Sequence, residues 1–87
     1  MIDIVLFHKE DCGLCDQVLA ELESFIRDRG LEGQVCLQPR DIMDSTEWYD
    51  QYSEQIPVVM VNNQVVCHFF LDESALCQAL DIESGQD

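Results

Sequence analysis

The stretch that decides the fold is Ile2-Asp3-Ile4-Val5-Leu6-Phe7-His8-Lys9-Glu10-Asp11-Cys12-Gly13-Leu14-Cys15-Asp16-Gln17-Val18. Residues 2–7 form a nearly continuous apolar run of strand length, the pattern of a strand covered on both faces. Residues 9–13 read as a loop. From Leu14 onward, Leu14, Val18, Leu22, Phe25 and Ile26 recur at helical spacing, with Glu21, Glu23 and Asp28 on the other faces. Arg27 and Arg29 fall in the last turn, where cations suit the helix dipole, and Gly30 is placed to cap it. A buried strand thus passes through a short loop into an amphipathic helix, and two cysteines three residues apart sit at the junction.

The rest of the chain extends this unit. Residues 34–38 read as a short strand that Pro39 ends, with Val35, Cys36 and Leu37 apolar. Asp44 and Glu47 have the spacing of a capping pair for a second helix carrying Trp48, Tyr49 and Tyr52. Ile56-Pro57 precedes the apolar run Val58-Val59-Met60-Val61. Asn62-Asn63 is a two-residue hairpin turn, since Asn tolerates positive φ, and residues 64–70 form the returning strand. Asp72 caps a last helix, with Leu71 and Leu76 spaced as a hydrophobic staple across its first turn. Residues 83–87 read as a frayed tail beyond one domain at 1–82. The expected architecture is α/β, in the order β-α-β-α-β-β-α, with a four-stranded mixed sheet flanked by helices. Its first half requires a parallel strand pair joined by a crossover, and its second half is antiparallel.

Composition narrows the functions open to such a domain. Eighty-seven residues suffice for one domain, and 47% apolar residues supply a core. Four basic against eighteen acidic residues give a net charge of −14. That field opposes nucleic acid and anionic membrane as partners and suits a basic protein. The N-terminus is too short and too acidic for a signal peptide, and no apolar run reaches membrane-spanning length. A cytoplasmic monomer is expected. Five cysteines at irregular spacing in a reducing compartment point to redox chemistry, metal binding or core packing rather than a disulfide framework.

Among these cysteines, Cys12 and Cys15 have the strongest claim to chemistry. Free N–H groups and the positive end of the dipole favour a thiolate at a helix N-terminus. Cys12 would lie at the exposed mouth and Cys15 one turn in, an attacking thiol with a shielded partner. Zinc competes for the pair, but there is no second CxxC, so its remaining ligands would come from Cys36, Cys67 or His68. No metal site is expected. Cys36 and Cys77 read as core hydrophobes, His8 as a polar strand end, and Trp48, Tyr49 and Tyr52 as helix packing. Cys67 and His68 are neighbours on a strand, so only one can face a given site.

The order of elements, the Cys12-Gly13-Leu14-Cys15 motif after the first strand and Ile56-Pro57 before the third resemble the thioredoxin superfamily. The compact length is closest to its glutaredoxin branch. The run from Leu6 to Asp16, with Ile56-Pro57-Val58-Val59 and Asn62-Asn63-Gln64-Val65-Val66, resembles the little-characterised glutaredoxin-like bacterial proteins. The resemblance implies thiol–disulfide exchange, with Cys12 as nucleophile and Cys15 as resolving thiol. It implies a cis-proline at Pro57 facing the pair, and an Ile56 backbone that meets an extended substrate. Lys9 resembles the lysine that glutaredoxins point at the glutathione carboxylate. No bound cofactor is implied, and the partner would be a disulfide-containing protein or a low-molecular-weight thiol.

Three features point away from glutathione as reductant. The glycine pair and acidic residue that hold it in glutaredoxins are replaced by Val66-Cys67-His68-Phe69-Phe70, the motif interior is Gly13-Leu14, and Glu10, Asp11 and Asp16 repel an anionic tripeptide. The same features leave open a second reading, a redox-inert acidic interaction domain that binds a basic protein.

Overall fold

In the computed structural model, residues 1–82 are described, so the tail expected at 83–87 lies outside the described residues. The elements run β1 (Ile2–His8), α1 (Gly13–Asp28), β2 (Val35–Asp41), a 3₁₀ turn (Ile42–Asp44), α2 (Thr46–Tyr52), β3 (Val58–Val61), β4 (Gln64–His68) and α3 (Glu73–Leu80). The sheet order is β2-β1-β3-β4. β1 is parallel to β2 and antiparallel to β3, and β3 pairs with β4 as a hairpin. This is the mixed α/β sheet expected from the chain.

The doubly apolar β1 is explained by its central place. Ile4 and Leu6 face a core built with Val18, Leu22, Phe25 and Ile26 of α1 and Leu76, Cys77 and Leu80 of α3. Val5 and Phe7, pointing the other way, pack with Ile42, Tyr52 and Val58. Phe7 stacks on Tyr52 at 4.4 Å and meets Trp48 edge-on at 5.4 Å. Strand alternation thus feeds two cores from one segment. Leu22 is wholly buried, and burying such a side chain contributes ~1.5–3 kcal/mol.

Local signals account for most boundaries. Gly30 takes φ +65 after α1, and Asn62 and Asn63 take φ 49 and 72 in the hairpin turn, as their types allow. Asp72 caps α3 by accepting from the Ala75 N–H at 3.1 Å, and Leu71 packs on the core that holds Leu76.

Several expectations are corrected. β2 does not end at Pro39 but continues to Asp41. Ile2 N–H donates to the Gln34 carbonyl, so even-numbered residues of β2 face β1 and the proline's missing N–H falls on the open edge. The cap of α2 is Ser45, whose hydroxyl accepts from Trp48 N–H at 3.4 Å; Asp44 ends the 3₁₀ turn, which Asp41 caps. β4 stops at His68 rather than running to residue 70, because Phe69 turns to φ 69. Cys36 is only half-buried on an edge strand, against Gln38, whereas Cys77 lies in the core as expected. Tyr49 is exposed, while Trp48 and Tyr52 pack.

Candidate functional site

The strand-to-helix junction is a tight one. Asp11 takes φ 62, a conformation Asp tolerates better than most residues, and turns the chain into Cys12. Cys12 is the N-cap of α1 in extended conformation, with φ −104 and ψ 102. Its sulfur accepts from the Cys15 N–H at 3.1 Å, and its carbonyl accepts from the Asp16 N–H at 3.1 Å. The Cys12 sulfur therefore does the work that a Ser or Asp oxygen does at other helix starts. Sulfur and helix dipole meet at one point.

Cys12 and Cys15 are joined as a disulfide, with Cα atoms 5.2 Å apart. Cys12 is half-buried and Cys15 is 2% exposed. One sulfur is reachable by a partner and the other is screened behind it. Glu10, Asp11 and Asp16 are exposed around the motif, as are Lys9 before it and Leu14 within it.

The loops at this end of the sheet come from three strands. Register pairs Phe7 with Val58 and Val58 with His68, so the end of β1, the start of β3 and the end of β4 lie side by side. Pro57 is buried and follows a cis Ile56-Pro57 bond, as the resemblance implies. Its carbonyl accepts from Phe69 N–H at 2.8 Å, which ties the loop after β4 to the loop before β3. Ile56 is half-buried, and its N–H already donates to the Tyr52 carbonyl at 3.1 Å. Strand-like pairing at Ile56 is thus limited to its carbonyl.

The other thiols differ in kind. Cys67 is half-buried beside the start of α3. Burial pushes its thiol above the ordinary range; the Asp72 backbone N–H pulls it down and the Asp72 charge pushes it up. It stays protonated at neutral pH and is a poor nucleophile there. His68 points outward and is exposed. Among the described residues, no group of three or more His, Cys, Asp or Glu side chains is placed to hold a metal ion. No helix among them is long and apolar enough to cross a membrane.

A mixed four-stranded sheet with a paired CxxC capping its first helix defines the class: a thioredoxin-fold protein. Solved structures agree. The chain is similar to protein Ne2328 from Nitrosomonas europaea, at 24% identity and TM-score 0.73 over 88% of each chain. It is also similar to thioredoxin 1 from Thermosipho africanus, at 13% identity and TM-score 0.58, covering 91% of this chain and 90% of that one. Oxidised thioredoxin from Plasmodium falciparum matches at 21% and 0.58, covering 92% and 78%. These identities speak for the fold alone. No curated protein matches the chain.

The model of the glutaredoxin-like domain family (DUF836) matches residues 3–81, and the chain belongs to that family. A glutaredoxin-like thioredoxin fold with Cys12 and Cys15 paired supports thiol–disulfide redox chemistry.

The feature that the sequence reading missed is the turn at Phe69. The run Val65-Val66-Cys67-His68-Phe69-Phe70 is all strand-compatible by propensity, and no glycine marks the break.

Proposed function

We propose that this protein is a thiol–disulfide oxidoreductase in which Cys12 is the nucleophile and Cys15 the resolving thiol. The observation that carries the reading is the asymmetry of the pair, with Cys12 reachable at the helix cap and Cys15 screened behind it. In the reducing direction the Cys12 thiolate attacks one sulfur of a substrate disulfide, and the other substrate sulfur leaves as a thiolate. The Cys15 thiolate then attacks the Cys12 sulfur. The second substrate thiolate leaves, and the two electrons the substrate gains are those the pair loses in forming the Cys12–Cys15 disulfide. A dithiol or a low-molecular-weight thiol returns the pair to its reduced form. The substrate class is a disulfide-containing protein or small thiol, and Cys36, Cys67 and Cys77, all unpaired, suit the reducing cytoplasm.

Trapping tests the mechanism. Cys15→Ser, reduced and then mixed with a disulfide substrate, is expected to accumulate a mixed disulfide at Cys12, identified by peptide mass mapping. Exchange activity that survives Cys12→Ser would overturn the assignment.

The redox-inert reading remains as the second one, favoured by the carboxylates at Glu10, Asp11 and Asp16 around the motif. It predicts a Cys12 that alkylates no faster than a free thiol, with its midpoint near the unperturbed value of about 8.5.

A further inference from the structure

Phe69 is the most unusual residue of the backbone. It holds φ 69, and Phe70 N–H donates back to the His68 carbonyl at 2.8 Å. An i to i+2 hydrogen bond around a residue of positive φ is the rare, strained form of the γ-turn. A bulky aromatic residue is a poor choice there, where Gly would sit without strain. The Phe69 N–H is locked to Pro57, so the turn is held from both sides. Strain that the surroundings over-determine in this way gathers at functional sites.

What the turn achieves is exposure. Phe69 is 40% and Phe70 67% exposed, so two aromatic rings meet solvent although a core lies next to them. Leu14, inside the motif at the same end of the sheet, is 40% exposed. Exposed carboxylates flank these residues along the chain, Glu10, Asp11 and Asp16 on either side of the motif that holds Leu14, and Asp72 and Glu73 just after Phe70, with the exposed cation Lys9 next to Glu10. A ligand that fits must cover aromatic surface and carry positive charge at its edges.

We propose that Phe69 and Phe70, with Leu14, form a docking platform for one class of partner: an extended, net-basic polypeptide segment with a large apolar residue beside its disulfide cysteine. The proposal rests on the oxidoreductase reading and assigns its substrate preference. The rings take the apolar neighbour, and the carboxylate rim steers and holds the basic flanks. The reacting sulfur is thereby delivered to the end of the sheet where Cys12 caps α1. Phe69 and Phe70 are positioning residues and do not touch the reacting atoms.

The test uses the full-length, pre-reduced protein in single turnovers against matched peptide disulfides: Lys-Phe-Cys-Lys, Lys-Gly-Cys-Lys and Glu-Phe-Cys-Glu. Hydroxyethyl disulfide serves as a small neutral control. The basic Phe peptide is expected to react about tenfold faster than either of the other two. Phe70→Ser should erase the advantage over the Gly peptide while changing the hydroxyethyl disulfide rate by less than about twofold, since it leaves the motif untouched. Phe69→Gly relieves the turn and removes one ring, and should act in the same direction. Equal rates on the three peptides, or a preference that survives both substitutions, would overturn the platform. So would a concentration-dependent dimer that Phe70→Ser dissociates, since the rings would then be covered by a second copy. If hydroxyethyl disulfide and every peptide fail to react, the oxidoreductase reading falls separately. NMR titration with the Cys→Ser form of the basic Phe peptide then decides the platform: shifts at Leu14, Phe69 and Phe70 support it, and their absence refutes it.

Discussion

Cys12 has two jobs in this structure, and substitution separates them. Its sulfur is the side-chain acceptor at the N-cap of α1, taking the Cys15 N–H at 3.1 Å. Cys12→Ser keeps an acceptor of high capping preference, whereas Cys12→Ala keeps none; both remove the thiol. Loss of an N-cap costs about 1 kcal/mol. For a domain of this size, that difference corresponds to a melting temperature lower by about 4–8 °C. The comparison is made with all proteins fully reduced, so that the Cys12–Cys15 disulfide of the parent does not enter. Thermal unfolding followed at 222 nm should place Cys12→Ala below Cys12→Ser by that interval, with the reduced parent between, since a thiol is a weaker acceptor than a hydroxyl. Amide exchange should sharpen the result: the Cys15 N–H should exchange about fivefold faster in the alanine variant. Both variants should be inactive in disulfide exchange. Coincident melting curves and equal Cys15 exchange would refute the capping role, and with it the view that the reactive sulfur is held at the helix terminus by that bond.

Four further outcomes are expected. Leu22→Ala opens a cavity at a fully buried position and should lower the free energy of unfolding by about 2–5 kcal/mol, measured by urea titration. Asp81 ends α3 with φ 58 and ψ 46, so Asp81→Gly, which relieves the left-handed backbone and removes a negative charge from a helix C-terminus, should stabilise by about 1 kcal/mol in the same assay. Cys67 ionises at higher pH when folded than when unfolded, chiefly through burial. Its contribution to stability is therefore complete below the unfolded thiol's value of about 8.5 and is lost as pH rises through the folded one. Cys67→Ser should flatten that alkaline decline in pH-dependent melts. Finally, a net charge of −14 destabilises the compact state by self-repulsion, so the melting temperature should rise as sodium chloride is raised from low to about physiological ionic strength.

By itself, the sequence determined most of what depends on neighbours along the chain, although it misplaced the α2 cap by one residue, at Asp44 instead of Ser45. The two-sided apolar run in β1, the helical stripe from Val18 to Ile26, the Asp72 cap and the Asn62-Asn63 turn are legible because each rests on local conformational preference or on a period of 2 or 3.6. The CxxC was legible for the same reason, as a cysteine pair opening a helix. Other features belonged to the tertiary structure because their physical cause lies across the fold. Pro39 stays in a strand because the edge of the sheet leaves its missing N–H unneeded. Cys36 is left half-buried because β2 is that edge, and Tyr49 is exposed because Trp48 and Tyr52 take the places on Phe7. Strand pairing alone brings the loops bearing Pro57 and Phe69 to the end of the sheet where the cysteines sit, more than forty and more than fifty residues away along the chain. Phe69 illustrates the divide most sharply. Its propensity is for a strand, yet the hydrogen bond to Pro57, the closing bond from Phe70 to His68 and an edge-on contact with the His68 ring at 4.9 Å accompany its left-handed turn.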